Sequence, residues 1–209
     1  VCGLAPTADA LAATLRLLAP AERARAARFG MPMLRDRYIA GRAALRQVLG
    51  ERLAMPPGAV DIRRGPRGRP YVVGTSGLDF NLSHTGAFAV IGMTTRGRIG
   101  VDVEHEGRQL NVAGVARKFM ITGEQSRLQE LEPEERRRML LRLWTCKEAM
   151  SKATGDALSA PFRQMDVILD DSGARLLAGP GKYQPGRWAL HALLAPGGHL
   201  ATVALWKGE

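Results

Sequence analysis

The 209-residue sequence is poor in lysine, cysteine and aromatic side chains. Only five of its 30 basic residues are lysines, and two cysteines, Cys2 and Cys146, are too few for a disulfide framework. The longest apolar run, Ala87 to Met93, is far shorter than a bilayer-spanning helix requires. These absences exclude a disulfide-stapled scaffold and a membrane-spanning protein. They predict a cytoplasmic location with no membrane partner.

Positive charge is concentrated in the first half of the chain. Residues 1–100 contain 15 arginines and six acidic residues, whereas residues 101–209 contain 15 basic and 14 acidic residues. A basic half indicates an anionic partner, and nucleic acid is the first to consider. The arginines are not interleaved with aromatic residues, and no zinc, homeodomain or RNP pattern is present. We therefore expect no nucleic-acid partner, and a polyphosphate ligand or an acidic protein explains the charge equally well.

Hydrophobic periodicity divides the first half into helices followed by strands. The predicted helices are a short one capped by Thr7 and running through Leu18, one opened by Pro20, and one from about Met33 to Leu53. In the long helix we expect Leu34 to be buried and Arg46 to be exposed. Strands are predicted at Val60–Arg63, Tyr71–Val73, Phe80–Ser83, Ala87–Thr94 and Ile99–Glu104, the last three forming an antiparallel meander.

The second half repeats this order. Thr122 and Gln125 have capping-box spacing, and Pro133 fits the first turn of a long helix that ends at Gly155. Strands are predicted at Met165–Leu169, Trp188–Leu194 and Ala201–Trp206. Helices followed by an antiparallel meander, twice in one chain, predict an α+β fold with two similar lobes.

Two short segments place acidic side chains where backbone geometry can bring them together. Residues two apart on a strand share a face, so Asp102 and Glu104 project together while Val101 and Val103 pack inward. On a predicted helix, Glu148 and Lys152 lie one turn apart on one face, and the apolar face is formed by Leu143, Cys146, Met150 and Ala153. A strand-borne Asp–Glu pair and a helix-borne Glu supply three hard oxygen ligands, the set expected for Mg²⁺ beside a phosphate.

Lysine placement strengthens this interpretation. Two of the five lysines, Lys147 and Lys152, flank Glu148. A compact ammonium on a flexible stem suits a moving phosphoryl charge. Both elements also have a purely structural interpretation. The helix would then be amphipathic, with Glu148 and Lys152 as one ion pair on its solvated face. The strand would carry Asp102 and Glu104 on a face that is simply exposed to solvent. Cys146 lies on the apolar face of the same helix, which favours packing over a nucleophilic role.

Four motifs follow one another along the chain. They are Gly68-Arg69-Pro70, Asn81-Leu-Ser-His-Thr-Gly86, Gly100-Val-Asp-Val-Glu104 and Trp144-Thr-Cys-Lys-Glu-Ala-Met-Ser-Lys152, preceded by Arg28-Phe29 and Gly41-Arg42. In this order they resemble the motifs of the Sfp-type 4′-phosphopantetheinyl transferases, over roughly Pro20 to Ala160. Taken singly, only the Trp144–Lys152 motif is specific.

The resemblance implies an enzyme that moves 4′-phosphopantetheine from coenzyme A to a serine hydroxyl of an apo acyl or peptidyl carrier protein, releasing 3′,5′-ADP. It implies the 4′-phosphopantetheinyl transferase fold: two pseudo-symmetric α+β lobes, each with helices packed on an antiparallel sheet. A basic first lobe, residues 1–100, would grip the coenzyme A phosphates. A second lobe, residues 101–209, would carry the metal carboxylates and the catalytic helix. Family analogy favours a monomer.

Site residues are carried over by position. Asp102, Glu104 and Glu148 resemble the Mg²⁺ ligands, with Mn²⁺ as a substitute metal, and Glu148 is also the candidate base for the serine proton. Lys152 would reach the pyrophosphate, and Lys147 would do the same or brace the carboxylates. The residues that resemble coenzyme A contacts are Arg35, Arg42, Arg69, Ser83, His84 and Lys152. Glu124 matches an acidic position that is sometimes proposed to assist as base.

Two other classes of protein share some of these features. A metal-dependent nuclease also combines carboxylates, Mg²⁺ and lysine, but the spacing from Glu148 to Lys152 does not fit its Glu-x-Lys motif. A non-catalytic nucleic-acid-binding module explains the charge but not the carboxylates. Carrier proteins are typically acidic around the helix after their modified serine. The segment Asn111–Met120, with Arg117 and Lys118, is therefore predicted either to dock that helix or simply to pack on the second lobe.

Overall fold

The computed structural model describes residues 1–5, 7–75 and 77–208, and its strands pair antiparallel throughout the described part. The helices are α1 (Ala8–Leu15), α2 (Pro20–Ala26), α3 (Pro32–Leu53), α4 (Val112–Phe119), α5 (Thr122–Gln129) and α6 (Pro133–Thr154). The strands are β1 (Cys2–Gly3), β2 (Ile62–Arg64), β3 (Pro70–Val72), β4 (Asp79–Thr85), β5 (Phe88–Thr94), β6 (Arg98–His105), β7 (Asp166–Asp170), β8 (Gly173–Ala178), β9 (Trp188–Ala195) and β10 (His199–Trp206).

Two units of sheet and helix make up the molecule. The first contains the sheet β1-β5-β4 and the hairpin β2–β3, with α1, α2 and α3. The second contains the sheet β6-β10-β9 and the hairpin β7–β8, with α4, α5 and α6 packed on a large apolar core. The predicted α+β fold with two lobes is confirmed. Strands β1 and β8 were not predicted from the sequence; β1 has only two residues, and β8 lies between two Gly-containing turns.

Strand β6 connects the two lobes. The predicted three-strand meander is wrong, because β6 pairs with β10 from Arg98 to His105 rather than with β5. Its edge toward β4 is bridged by side chains instead of a backbone ladder. Asp79 Oδ2 accepts the N–H of Ile99 at 2.7 Å, and Asn81 Oδ1 accepts the N–H of Val101 at 3.0 Å. The Asn81 motif residue therefore joins the lobes.

Helix α6 lies directly on β6 because residue 100 is glycine. A Cβ at Gly100 would lie 1.8 Å from the carbonyl oxygen of Ala149, so no larger residue fits at this crossing. The helix has Pro133 in its first turn and ends at Gly155, whose φ of 77° requires the left-handed conformation, as predicted. This close approach brings Glu148 and Lys152 next to the even-numbered side chains of β6.

Several residues depart from the sequence predictions. Leu34 is 41% exposed, because the first turn of α3 projects past the core, and Arg46 is only 2% exposed. Arg46 is buried because Glu22 in α2 accepts from its Nε at 2.5 Å. Helix α5 is preceded by Ile121, whose N–H donates to Glu124 at 3.0 Å, so the expected Thr122–Gln125 box does not form. No helix in the described ranges combines the length and apolarity needed to cross a bilayer.

Candidate active site

Asp102 is at the centre of the candidate site, where β6 faces both β4 and α6. Its carboxylate is 4% exposed. Oδ1 accepts from Ser83 Oγ at 2.9 Å and from Lys152 Nζ at 2.6 Å, and the same ammonium lies 2.9 Å from Ser83 Oγ. Oδ2 is buried and has no partner among the described residues. Ser83 from β4 and Lys152 from α6 therefore both contact the carboxylate of Asp102 on β6. The second oxygen of this carboxylate can still accept a hydrogen bond or a cation.

Glu104 and Glu148 lie beside Asp102. Glu104 points to the same face of β6, as the alternation predicted, and it forms an ion pair with Arg108. Glu148 was predicted to lie on a solvated helix face, but it is half-buried. Its Oε1 is buried and has no hydrogen-bond partner among the described residues. Burial, and then the negative charge of Asp102, raises the pKa of both glutamates above the usual range. The negative charge of Asp102 thus disfavours ionisation of the two glutamates.

The carboxylates suit a divalent cation shared with a substrate. Within residues 1–5, 7–75 and 77–208, no three acidic, histidine or cysteine side chains are arranged so that they alone could hold a metal ion. Asp102 Oδ2 and Glu148 Oε1 are nevertheless buried acceptors with no donor, and such groups are costly unless something pairs with them. Two free carboxylate oxygens, with Glu104 adjacent, match the few protein ligands that Mg²⁺ takes when phosphates and water complete its shell.

Lys147 is not part of this cluster, which corrects the prediction that it reaches the pyrophosphate or braces these carboxylates. Its side chain is fully buried in the second lobe. Its ammonium lies 2.5 Å from Glu124 and donates to the carbonyl oxygens of Phe119 and Phe162. The burial lowers the pKa of Lys147, and the charge of Glu124 opposes that effect. Lys147 turns inward because it continues the apolar stripe of α6, while Glu148, one residue on, faces β6.

Glu124 is equally inaccessible, so it is not placed to act as a base. Its carboxylate is fully buried and accepts from the N–H of Ile121 at 3.0 Å and of Val167 at 2.9 Å, in addition to Lys147. Cys146 is also buried, and burial raises the pKa of its thiol to about 11, as expected for packing rather than nucleophilic use.

Arg69 is not a free phosphate ligand, contrary to the sequence prediction. Its two terminal nitrogens donate to Asp79 at 2.7 and 2.6 Å, and further N–H groups donate to the carbonyl oxygens of Lys152 and Ile99 at 3.0 and 2.8 Å. Four of the five guanidinium donors are therefore occupied by protein acceptors. The Gly-Arg-Pro motif ties the β2–β3 hairpin to β4, β6 and α6.

Two further arginines predicted to hold phosphate also form ion pairs with acidic side chains of the protein. Arg42 shares the carboxylate of Glu22 with Arg46. Burial raises the pKa of Glu22, but the hydrogen bonds and charges of these two arginines outweigh it, and the net shift is downward. Arg35 pairs with its neighbour Asp36 at 2.9 Å near the start of α3, and no contact joins it to Asp102.

His84 borders the cluster from the other side of β4. Ser83 is buried against β6 whereas His84 is exposed, as expected for neighbours on a strand. Partial burial, followed by the positive charges of Lys152 and Arg37, lowers the pKa of His84. The sequence analysis did not identify Arg37. One feature of the sequence indicated that Arg37 could face His84: it lies two residues after Arg35 and therefore on the opposite side of the helix.

A sizeable cavity lies away from the carboxylates. It has a volume of about 650 Å³ and lies at the Arg98 end of β6, beyond Arg69. Its lining includes Arg67, Arg98, Lys182 and Trp206. A smaller cavity of about 230 Å³, between α2, α3 and the β2–β3 hairpin, is lined by Arg25, Tyr38, Arg42 and Arg64 among others. Cationic side chains therefore line both cavities beside the hairpin, while the three carboxylates of the candidate site lie on β6 and α6.

Similarity to known proteins covers the whole of this arrangement. The family model described as 4′-phosphopantetheinyl transferase superfamily matches residues 98–204, and the one described as 4′-phosphopantetheinyl transferase, N-terminal, matches residues 4–96. The two matches meet just before β6. The first therefore includes the carboxylates and α6, and the second includes Ser83 and His84.

Individual relatives agree with these matches. The 4′-phosphopantetheinyl transferase HetI of Nostoc sp. is 35% identical over 199 residues, covering 93% of this chain and 80% of HetI. The putative 4′-phosphopantetheinyl transferase slr0495 of Synechocystis sp. is 34% identical over 176 residues, covering 83% and 71%. A crystal structure of a holo-(acyl-carrier-protein) synthase from Bacillus anthracis in complex with CoA (3′,5′-ADP) aligns with a TM-score of 0.40 at 20% identity, over 53% of this chain and 96% of that chain.

A family model covers just over half of the chain, and a relative that is 35% identical extends over nearly all of it. The chain thus belongs to the 4′-phosphopantetheinyl transferase superfamily and is a 4′-phosphopantetheinyl transferase.

Proposed function

We propose that this enzyme transfers 4′-phosphopantetheine from coenzyme A to a serine hydroxyl of an apo acyl or peptidyl carrier protein, in a Mg²⁺-dependent reaction. The serine oxygen bonds to the phosphorus that carries pantetheine. The bond from that phosphorus to the bridging oxygen breaks, and 3′,5′-ADP leaves with the electron pair. The observation that carries the proposal is the pair of buried, donor-free oxygens on Asp102 and Glu148 beside the ammonium of Lys152.

Asp102 and Glu148, with Glu104 beside them, would hold the cation. When bound, Mg²⁺ neutralises negative charge that develops on the pyrophosphate oxygens during transfer. Mn²⁺ has the same preference for oxygen ligands and should substitute. In the absence of the metal, Lys152 and Arg108 supply the compensating charge by pairing with Asp102 and Glu104.

Glu148 is the residue proposed to accept the serine proton. Its carboxylate is half-buried on the side of α6 that faces Asp102, and it has an oxygen that no protein donor uses. Burial and the neighbouring carboxylates raise its pKa, which makes it a stronger base than an ordinary glutamate. The proton moves from the serine hydroxyl to the Glu148 carboxylate oxygen that does not hold the cation, directly or through one water, as the new phosphorus–oxygen bond forms.

Lys152 and His84 are proposed to hold the pyrophosphate. The Lys152 ammonium has a flexible stem and already lies between Ser83 and Asp102, so it can donate to a phosphate oxygen while keeping one of those contacts. The lowered pKa of His84 leaves it neutral when the site is empty. An arriving phosphate dianion offsets the repulsion from Lys152 and Arg37, so the imidazole gains a proton and binds as a cation.

The direct test is incubation of the protein with coenzyme A and an apo carrier protein, followed by mass spectrometry of the carrier. Addition of phosphopantetheine to the serine, lost on chelation and restored by Mg²⁺ or Mn²⁺, is the expected result. Asp102→Asn should abolish it. Glu106→Gln is the matched control, because Glu106 follows Glu104 by two residues but pairs with Arg138 on the surface. An unmodified carrier with every carrier class tried would refute the proposal.

We propose further that the enzyme acts in the cytoplasm as a monomer.

A further inference from the structure

Strand β4 of the first lobe contacts β6 of the second lobe through its side chains. Asp79, Asn81 and Ser83 alternate along β4 and share one face of the strand. Asp79 and Asn81 accept backbone N–H groups of β6, at 2.7 and 3.0 Å. The Ser83 hydroxyl donates to the carboxylate of Asp102 at 2.9 Å. We call these three β4 residues the side-chain ladder, and each of them joins the two lobes.

The ladder supplies an acceptor that β6 lacks on this edge. Strand β6 pairs over its whole length with β10, and the N–H of Val101 donates instead toward β4, to the carboxamide oxygen of Asn81. Val101 is fully buried and Asn81 is 6% exposed. A buried N–H without an acceptor is costly, so Asn81 holds β6 in place one residue before Asp102.

The neighbours of the Ser83 hydroxyl determine which way it donates. Lys152 Nζ lies 2.9 Å from Ser83 Oγ, and an ammonium can only donate, so the Ser83 oxygen is the acceptor of that hydrogen bond. The hydroxyl proton is then available to Asp102 Oδ1, which can only accept while the carboxylate is ionised. The hydroxyl therefore forms a bridge from the ammonium to the carboxylate, and Ser83 is 5% exposed.

This bridge determines which oxygen of Asp102 is left for a cation. Oδ1 accepts from both Ser83 and Lys152, whereas Oδ2 is buried and accepts from none of the described residues. Without the hydroxyl, the ammonium would be the one remaining side-chain donor to this carboxylate in the described part of the chain. Nothing would then keep Lys152 on Oδ1, and a cation would have to compete with it. Carboxylates that bind metals are commonly oriented by such outer hydrogen bonds.

We propose that Asn81 and Ser83 are positioning residues for the cation site. Asn81 holds β6 against β4, and Ser83 holds Asp102 so that Oδ2 stays free for the cation. The first lobe thus orients a metal ligand that belongs to the second lobe. The Ser83 hydroxyl acts through Asp102, which differs from the coenzyme A contact implied by the sequence motif. The inference rests on the proposed function for the cation, but cation binding can be measured without transfer.

The test measures Mn²⁺ affinity by paramagnetic resonance without coenzyme A or carrier, and KM for Mg²⁺ and for coenzyme A during transfer. Residues that orient metal ligands typically alter metal affinity by about 10- to 100-fold. We expect Ser83→Ala to bind Mn²⁺ roughly tenfold or more weakly and to raise KM for Mg²⁺. Its KM for coenzyme A at saturating Mg²⁺ should be that of wild type. Ser83→Thr keeps the hydroxyl and should restore Mn²⁺ affinity.

Asn81→Leu and Phe80→Leu separate positioning from general stability. Asn81→Leu has a similar volume but no acceptor for the N–H of Val101, so it should weaken Mn²⁺ binding although Asn81 does not touch the carboxylates. Phe80 is fully buried on the opposite face of β4, and Phe80→Leu leaves a cavity there. Phe80→Leu should lower the melting temperature and leave Mn²⁺ affinity unchanged.

Three results would overturn the proposal. The first is wild-type Mn²⁺ affinity in Ser83→Ala, and a raised KM for coenzyme A in the same variant would make Ser83 a coenzyme A ligand. The second is an equal loss of Mn²⁺ affinity in Phe80→Leu, and the third is an absence of Mn²⁺ binding by wild type. If Ser83→Ala does not fold, Ser83→Cys replaces it, since a thiol is a weak donor. Failure of the proposed function is a separate result, in which wild type leaves the carrier unmodified while Ser83→Ala still weakens Mn²⁺ binding.

Discussion

At the scale of single residues, the site depends on carboxylates that are not fully paired. Among the described residues, Asp102 and Glu148 each keep one buried oxygen without a donor, and the three carboxylates have ion pairs with only Lys152 and Arg108. In a folded protein such groups are normally satisfied, so their presence at one point indicates a partner that binds there. The residues predicted from spacing alone, Asp102, Glu104, Glu148 and Lys152, are brought together by the fold.

Glu148→Gln should abolish transfer without destabilising the protein. The substitution is nearly isosteric but removes both the proposed metal ligand and the proposed base, so we expect kcat to fall by at least about 100-fold. Because folding raises the pKa of Glu148, the native state binds more protons than the unfolded state between the two pKa values, and stability falls as pH rises through that interval. Glutamine removes this cost, so the metal-free melting temperature at neutral pH should stay constant or rise.

Initial rates and thermal melting of Glu148→Gln and Glu106→Gln, measured side by side, check this expectation. Glu106→Gln should behave as wild type in both measurements. Transfer by Glu148→Gln within about tenfold of wild type would exclude Glu148 as the base, since general acid–base catalysis normally contributes more than that.

His84→Ala should weaken binding of coenzyme A in a pH-dependent manner. The pKa of His84 is lowered in the free enzyme, and a bound phosphate raises it, so binding takes up a proton. Affinity for coenzyme A should therefore increase as the pH falls below neutrality, and His84→Ala should remove this dependence with a loss of roughly tenfold. Titration calorimetry at several pH values, with coenzyme A and 3′-dephospho-coenzyme A, also shows which phosphate is held. An equal loss for both ligands would assign His84 to the pyrophosphate.

At the scale of elements, alternation and helical spacing predicted most of the site. Period-two alternation placed Asp102 and Glu104 on one face of a strand, and the i,i+4 relation placed Glu148 beside Lys152. The burial of Lys147 was also readable, because Leu140, Leu143 and Met150 mark it as part of the buried stripe of α6. The prediction that Lys147 is catalytic was based on its charge, whereas its position in this stripe indicated burial.

Long-range pairing was beyond the sequence analysis. The turn at Arg96-Gly97 suggested a hairpin from β5 to β6, but the pairing of β6 is decided by β10, about a hundred residues later, and by the packing of α6 over Gly100. The burial of Arg46 depends likewise on Glu22, 24 residues earlier in the chain. Local patterns contain no information on such partners.

Arg69→Ala should chiefly destabilise the junction between the lobes. The guanidinium pairs bidentately with Asp79 and donates to carbonyl oxygens on β6 and α6, and its removal leaves a partly buried carboxylate without its main cation. We expect the free energy of unfolding to fall by about 3 kcal/mol. Arg67→Ala is the control on the same turn. Its side chain is 66% exposed, and its surface pair with Asp156 should contribute less than about 1 kcal/mol.

Urea denaturation of both variants measures these changes in unfolding free energy. Equal stability of Arg69→Ala and wild type, together with a large loss of coenzyme A affinity, would restore Arg69 to the role of a phosphate ligand that the sequence first suggested.

At the scale of the whole molecule, charge is divided between the lobes. Residues 1–100 carry most of the net charge of +10, while the second half is nearly neutral and supplies the carboxylates of the site. An anionic substrate should therefore be attracted to the first lobe, and Lys152 and the proposed cation should screen it from the carboxylates of the site. The same excess of positive charge should steer an acidic carrier protein toward the enzyme.

Helix α4 is the element predicted to receive that carrier. Val112, Val115 and Phe119 pack partly against the core of the second lobe, so the apolar side of α4 is largely used within the protein. Arg117 and Lys118 remain exposed. The structure therefore leaves mainly the basic side chains of Arg117 and Lys118, which we call the basic rim of α4, for a carrier to contact.

Reversing the charges of Arg117 and Lys118 should raise KM for the carrier protein but not KM for coenzyme A. In the double variant Arg117→Glu with Lys118→Glu, KM for an apo carrier should rise, because two attractive charges become repulsive, whereas KM for coenzyme A should not change. Salt distinguishes steering from packing, since the Debye length falls from about 10 Å at 0.1 M to about 3 Å at 1 M. The carrier KM of wild type should rise steeply between these concentrations and that of the variant should change little. Arg175→Glu, on the exposed β7–β8 hairpin where it pairs with Asp170, is the matched control. If the carrier KM is the same in all three proteins, α4 has only a structural role and the carrier binds elsewhere.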